Sequence, residues 1–261
     1  MRRVRTILAV AITCAGWPAT AHAVETVKFS ASLTPEHLDR GTTIGFGLGI
    51  GATTGLPSPL TSVDVSYPEH LGIALSGIGI RTCQPRALEV FGPLSCPADS
   101  RMGFGRATAL VPFGPEVVRE QASIGVVRGP TREGHLTLLF YAVGEDPVST
   151  QLILPGTLDE ARPPYGGEII VGVPLVPTLP EAPNASLVSL KSTIGPLHLT
   201  YFEEVNHRVV PYRPAGILLP QRCPRGGFPF AARLGFEDGS DVAAHTTVPC
   251  PRAAIKRRRH P

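Results

Sequence analysis

Residues 41–50, GTTIGFGLGI, admit one regular backbone. Ile44, Phe46, Leu48 and Ile50 alternate with Gly45, Gly47 and Gly49, a period of two. In a strand alternate side chains share a face, so the large apolar groups all point one way. In a helix they would scatter around the axis, and each glycine would cost about 1 kcal/mol relative to alanine. The stretch is therefore a strand with one apolar face, predicted to lie in the core. Its other face has no Cβ at alternate positions, which predicts that another layer approaches it closely.

The same punctuation and period run through the chain. It carries 28 Gly and 28 Pro, spread between short apolar runs and not gathered into a low-complexity tract. Thr61–Tyr67 repeats the alternation, with Val63, Val65 and Tyr67 opposite Ser62, Asp64 and Ser66. Further strands are predicted at 27–33, 103–112, 117–127, 135–143, 150–154, 168–173, 186–194, 197–203, 216–219, 228–236 and 242–248. Between the last pair, Glu237-Asp238-Gly239-Ser240 carries the Asp-Gly signal of a hairpin. Helical pattern is slight: Pro85–Gly92 fits a turn or two, and 71–79 is ambiguous. Many short strands with frequent turns predict an all-β fold, an antiparallel β-sandwich. It is either one large sandwich or two small ones packed together, with 128–180 as the place for a subdivision.

Residues 1–23 read as a secretory signal peptide. Arg2, Arg3 and Arg5 precede the apolar run Ile7–Trp17, and Ala21-His22-Ala23 is a small-x-small cleavage site. An uncleaved anchor is the rival, but Pro, Thr and His fill the second half of the segment poorly for ~30 Å of hydrocarbon. Cys14 follows Thr13, which does not suit a lipoprotein site. The expected product is a soluble exported chain from Val24 onward, secreted or associated with the cell envelope.

Export changes how the cysteines are read. Cys83, Cys96, Cys223 and Cys250 remain, and in an oxidising compartment an even count favours disulfides. The sequence-local pairs Cys83–Cys96 and Cys223–Cys250 are expected, each contributing on the order of 3 kcal/mol through loop closure. A zinc site is the alternative, but the short C-x₂₋₄-C spacing it normally uses is missing.

Charge is unevenly placed. Eight of the 24 Lys and Arg lie in 1–23 and 252–261, which leaves 16 against 21 Asp and Glu in the body, a net charge of about −5. The basic pI is a product of the ends and gives no reason to expect a nucleic-acid partner. The tail, Ala253–Pro261, holds Lys256, Arg257, Arg258 and Arg259 and too little apolar surface to order itself. It is either a solvated end or a weak handle for anionic cell-wall polymers or lipid head groups. The excess of Arg over Lys and the abundance of Ala, Gly and Pro point to a GC-rich bacterial genome.

Three stretches carry a resemblance. They are the run from Cys83 through Cys96-Pro97, Ser100, Gly103, Gly105 and Ala107; Tyr212-Arg213-Pro214-Ala215-Gly216; and CPRGGFPFAARLGFEDG from Cys223, closing on VPCP. They resemble uncharacterised secreted proteins of high-GC Gram-positive bacteria. The resemblance implies export and a β-rich fold. It brings no activity, ligand, cofactor or catalytic residue.

Motifs for chemistry are sparse. G-x-S-x-G, H-E-x-x-H, the Walker loop and the EF-hand loop are all missing. Pro35-Glu36-His37-Leu38 recurs as Pro68-Glu69-His70-Leu71. Its Glu-His pairs are candidate metal ligands, against a repeated loop anchored by leucine. Glu237, Asp238 and Asp241 are candidates for calcium, against plain hairpin-turn chemistry. Glu203, Glu204, His207 and Arg208 near Tyr201 form a polar cluster, but adjacent glutamates of a strand face opposite sides, which suits paired-carboxylate catalysis poorly. The only Trp, Trp17, falls in the signal segment, which argues against a sugar-stacking platform. No catalytic, cofactor or metal residue is assigned. The expected function is a non-enzymatic exported binding or structural module; the alternative is a secreted hydrolase with an unrecognised site.

Overall fold

The structure, a computed structural model, describes residues 24–73, 76–146, 149–178 and 182–251. The expected signal peptide and basic tail, including Lys256–Arg259, lie outside the described residues.

The first strands are β1 (Glu25–Thr34), β2 (Gly41–Ala52) and β3 (Leu60–Pro68), followed by helix α1 (Pro85–Phe91). Next come β4 (Arg101–Phe113), β5 (Glu116–Arg128), β6 (Thr137–Asp146), β7 (Gln151–Asp159), β8 (Tyr165–Gly172) and β9 (Ser186–Ile194). The last are β10 (Tyr201–Val205), β11 (Arg208–Tyr212), β12 (Ile217–Leu218), β13 (Phe228–Phe236) and β14 (Asp241–Val248). The expected all-β, antiparallel and disulfide-bonded fold is what the chain adopts. The strand at 197–203 begins later, at Tyr201, and β11 was not anticipated because Pro211 interrupts a short run. The ambiguous stretch 71–79 forms no helix among its described residues.

One sheet runs in the order β1-β2-β9-β4-β5-β6-β7-β8-β3-β13-β14, with β12 added beside β2. Its ends, β1 and β14, lie against each other, so the sheet curls almost into a barrel. Every neighbouring pair along the path is antiparallel. With eleven strands in that path, β1 and β14 run in the same direction, and among the described residues no ladder joins them. The facing layers expected of a sandwich are thus opposite walls of one continuous sheet.

Period-two alternation sorts each strand into an inner and an outer row. Leu33, Ile44, Val126, Leu138, Ile169, Ile194, Phe228, Phe230 and Val248 come from strands all along the path and form one buried cluster. A second cluster, including Leu48, Ile50, Leu60, Val63 and Leu234, lies nearer the other end of the strands. Ile44, Phe46, Leu48 and Ile50 point inward as predicted, Phe46 half-buried and stacked with Phe29 at 6.5 Å. The glycine face of β2 differs from expectation. The groups beside it are side chains of flanking strands, and a Cβ on Gly47 would meet Ser30 Oγ at 2.5 Å. The outer rows of β1 and β9 are Thr26, Lys28, Ser30, Ser32, Ser189, Lys191 and Thr193. On these strands the inward rows are apolar and the outward rows polar, the reverse of a lipid-facing surface. No helix among the described residues is long and apolar enough to cross a membrane.

We call the end with Glu25, Ala52 and Phe236 the upper end and the opposite one the lower end. The lower end is plugged: Ile78, Ile217 and Leu219 from connecting segments join the main cluster, and Leu38, Leu71 and Cys223 pack against it. The hairpin β10–β11 is fastened there through buried Tyr201, whose hydroxyl accepts from Gly79 N–H at 3.1 Å and donates to the Arg101 carbonyl. Burial raises the Tyr201 pKa above the usual phenol value, against the lowering effect of the Gly79 hydrogen bond. Both expected disulfides are present, with Cα separations of 5.0 Å for Cys83–Cys96 and 5.9 Å for Cys223–Cys250. The first closes the loop carrying α1, whose Leu88 packs with Val127 and Leu139 on the outside of the sheet. The second lies beyond the open end of the β13–β14 hairpin, whose turn uses Gly239 at φ 84°. These disulfides suggest an oxidising, extracellular setting.

Candidate functional site

The upper half of the interior is not filled. β4, β5 and β6 enter it side by side, and their inner rows there are small: Ala107 faces Ala122, and Ile124 faces Ala142. The opposite wall offers Phe29, Phe46, Val65 and Val171, and the described part of the β8–β9 connection covers the space with Pro174, Leu175, Val176 and Ala185. Because Ala107, Ala109, Ala122 and Ala142 end at Cβ where other strands present Leu, Ile or Phe, a cavity of about 230 Å³ remains. Among the described residues every lining side chain is apolar except Ser192, whose hydroxyl donates to the Phe104 carbonyl at 3.5 Å.

Such a lining offers water no set of partners. A cavity of about 150 Å³ lined by Leu, Ile and Phe stays dry and takes up benzene. Left empty, a void of about 230 Å³ costs on the order of 5 kcal/mol at roughly 24 cal/mol per Å³. That is comparable with the net stability of a whole domain, ~5–15 kcal/mol. Most protein interiors hold few voids larger than a water molecule. The arrangement has the size and lining to take a small apolar molecule.

The residues singled out in the sequence lie elsewhere. Glu69 and His70 approach within 3.8 Å of each other on the surface, and the other Glu-His pair, Glu36 and His37, is exposed in its own loop. Among the described residues no group of His, Cys, Asp or Glu is arranged to hold a metal ion. The leucines of these repeats do anchor their loops, both against the main core. At the β13–β14 turn the acids diverge. Glu237 accepts from Asn184 at 2.8 Å, Asp238 accepts from Ser240 N–H at 2.9 Å, and Asp241 pairs with Arg233 at 3.1 Å. On the β10–β11 hairpin, Glu204 and His207 are 3.5 Å apart and exposed.

Sequence reasoning missed one polar pair. His135 and Asp159 are in direct contact in an open groove at the lower end, brought together by the β6–β7 pairing. Arg132, Glu133 and Glu160 also line the groove, and no Ser or Cys does among the described residues, the usual nucleophiles of a hydrolytic triad. A His and an Asp so far apart in sequence gave no local signal.

No family model matches the chain, and the searches of curated proteins and of solved structures found no match either.

Proposed function

We propose that the chain is an exported, non-enzymatic binding module of the extracellular space or cell envelope that holds a small apolar molecule inside its sheet. The observation that supports this reading is the apolar cavity walled by Ala107, Ala109, Ala122 and Ala142. Its size and lining fit a compact hydrocarbon body, a single ring or a short alkyl chain, with no demand for a charged head group. The resemblance to secreted bacterial proteins and the pair of disulfides are consistent with export.

The test is a thermal shift with benzene, p-xylene and n-alkanols of increasing length. A ligand that binds only the native state raises Tm, by a free energy of about 2.7 kcal/mol at a hundredfold excess over Kd. Ala122→Leu should fill the space, keep or raise the intrinsic Tm, and remove the ligand-induced shift. If no apolar probe shifts Tm, or if the filled variant responds like the original, the reading fails.

A further inference from the structure

The outer surface of β1, β2, β9, β4 and β5 has a separate character. Lys191 on β9 stands directly opposite Arg106 on β4. Across Gly47, which pairs with both Lys191 and Ser30, lies β1, where Lys28 occupies the next outward position beside Gly49. Arg119 extends the same surface along β5. All four cations are exposed, and none is in an ion pair with another described side chain, whereas Arg233 on the far wall is paired with Asp241. Of the acids on these strands, Glu25 and Glu120 are buried and Glu116 is at the tip of the β4–β5 hairpin, so none stands exposed between the cations.

This arrangement works against folding. Like charges directly opposite on adjacent strands are destabilising. The body carries more acids than bases, and this face still sets Lys191 against Arg106. An anionic ligand would remove the repulsion.

The floor between the cations indicates which anion. Gly45, Gly47 and Gly49 present bare backbone, flanked by the hydroxyls of Ser30, Ser32, Ser189 and Thr193. From β1 to β9 the outward row is Thr, Ser, Lys and Gly, and the exposed apolar groups of this surface, Phe104 on β4 and Phe113 and Val117 near the β4–β5 tip, lie to either side of the line of cations. Lys28 and Arg106 are three strand spacings apart, about 14 Å, so the cations run across the strands as a line. We infer that this face binds a linear polysaccharide bearing carboxylates, with the cations on the acid groups and the hydroxyl rim on the sugar hydroxyls. No tryptophan lies among the described residues, which does not oppose this mode, because charge and hydrogen bonds replace ring stacking. The inference does not rest on the interior cavity.

The experiment measures retention of the full chain on immobilised polygalacturonate, with neutral dextran as the comparison. Binding to polygalacturonate alone is expected, and it should fall steeply between ~0.1 M and ~1 M salt as the Debye length shrinks from ~10 Å to ~3 Å. K191Q should weaken it roughly fivefold, and K28Q/R106Q/K191Q on the order of 100-fold, at about fivefold per cation. Arg233→Gln should leave it unchanged. Because the replaced groups are exposed, Tm of the triple variant should be equal or higher. Neutralising Lys256–Arg259 separately tests the other basic segment. Loss of binding in that variant with none in the triple variant would overturn the inference, as would equal binding to dextran. Stronger binding to phosphatidylglycerol vesicles through Lys28, Arg106 and Lys191 would replace the glycan with a bilayer and overturn it too.

Discussion

β4, β5 and β6 build two unlike regions with one backbone. Near the lower end they contribute Met102, Val126 and Leu138, each at most 3% exposed and locked into the main core. A few residues further up the same strands carry Ala107, Ala122 and Ala142 and wall a cavity. Pairing continues through both regions, so the difference lies in side-chain volume and not in the sheet. A sheet held by ladders and by one closely packed end can tolerate a void at the other. The packed end supplies the stability that the hollow end forgoes.

The largest effect expected from breaking this contrast is in the packed region. Phe230 is fully buried, and Phe230→Ala should cost about 3–5 kcal/mol. Phe46, edge-to-face with Phe230 at 6.0 Å, is half-buried on the cavity wall and has fewer contacts to lose. Phe46→Ala should therefore cost clearly less, measured by urea unfolding of both variants. Equal losses would mean that the two regions are packed alike.

Next in size is the covalent closure of the lower end. Cys223 packs against the main core and is joined to Cys250 across a sequence separation of 27. Replacing both cysteines with serine should cost about 3 kcal/mol. The Tm shift with apolar probes should survive, because the cavity lies at the other end. Loss of that shift together with stability would show that the two ends do not act independently.

Much of the fold was legible in advance, and the remainder was not for identifiable reasons. Alternation placed Ile44, Phe46, Leu48 and Ile50 inside, and local spacing paired the cysteines. Asp238-Gly239 located the last hairpin. Sheet order was out of reach: β9 sits between β2 and β4, and β3 beside β13, through ladders between residues distant in the chain. The cavity was also invisible. Alanine at an inward position satisfies the apolar pattern as well as leucine does, and only the opposite wall shows that the space is not filled. The cations on the outer face were concealed for a similar reason, since Arg106 and Lys191 become neighbours only when β4 pairs with β9.

The smallest effect contrasts the outer face bearing those cations with the opposite one, where charges are paired. Asp64 on β3 pairs in register with Arg233 on β13. Its pKa is nevertheless raised above the usual 3.8, first by burial, which outweighs the lowering influence of Arg233, with Asp241 adding repulsion. A raised carboxyl pKa means that the folded state holds the proton more tightly than the unfolded chain does. The associated stability is fully present below the unfolded value and is lost as pH rises through the folded one. Asp64→Asn removes this titration. The difference in unfolding free energy between the variant and the original chain should therefore move in favour of the variant as pH rises above about 4, then level off. A series of urea midpoints from acid to neutral pH would measure it. Movement in favour of the original chain would show that attraction to Arg233 outweighs burial, and that this face is a true ion-pair network.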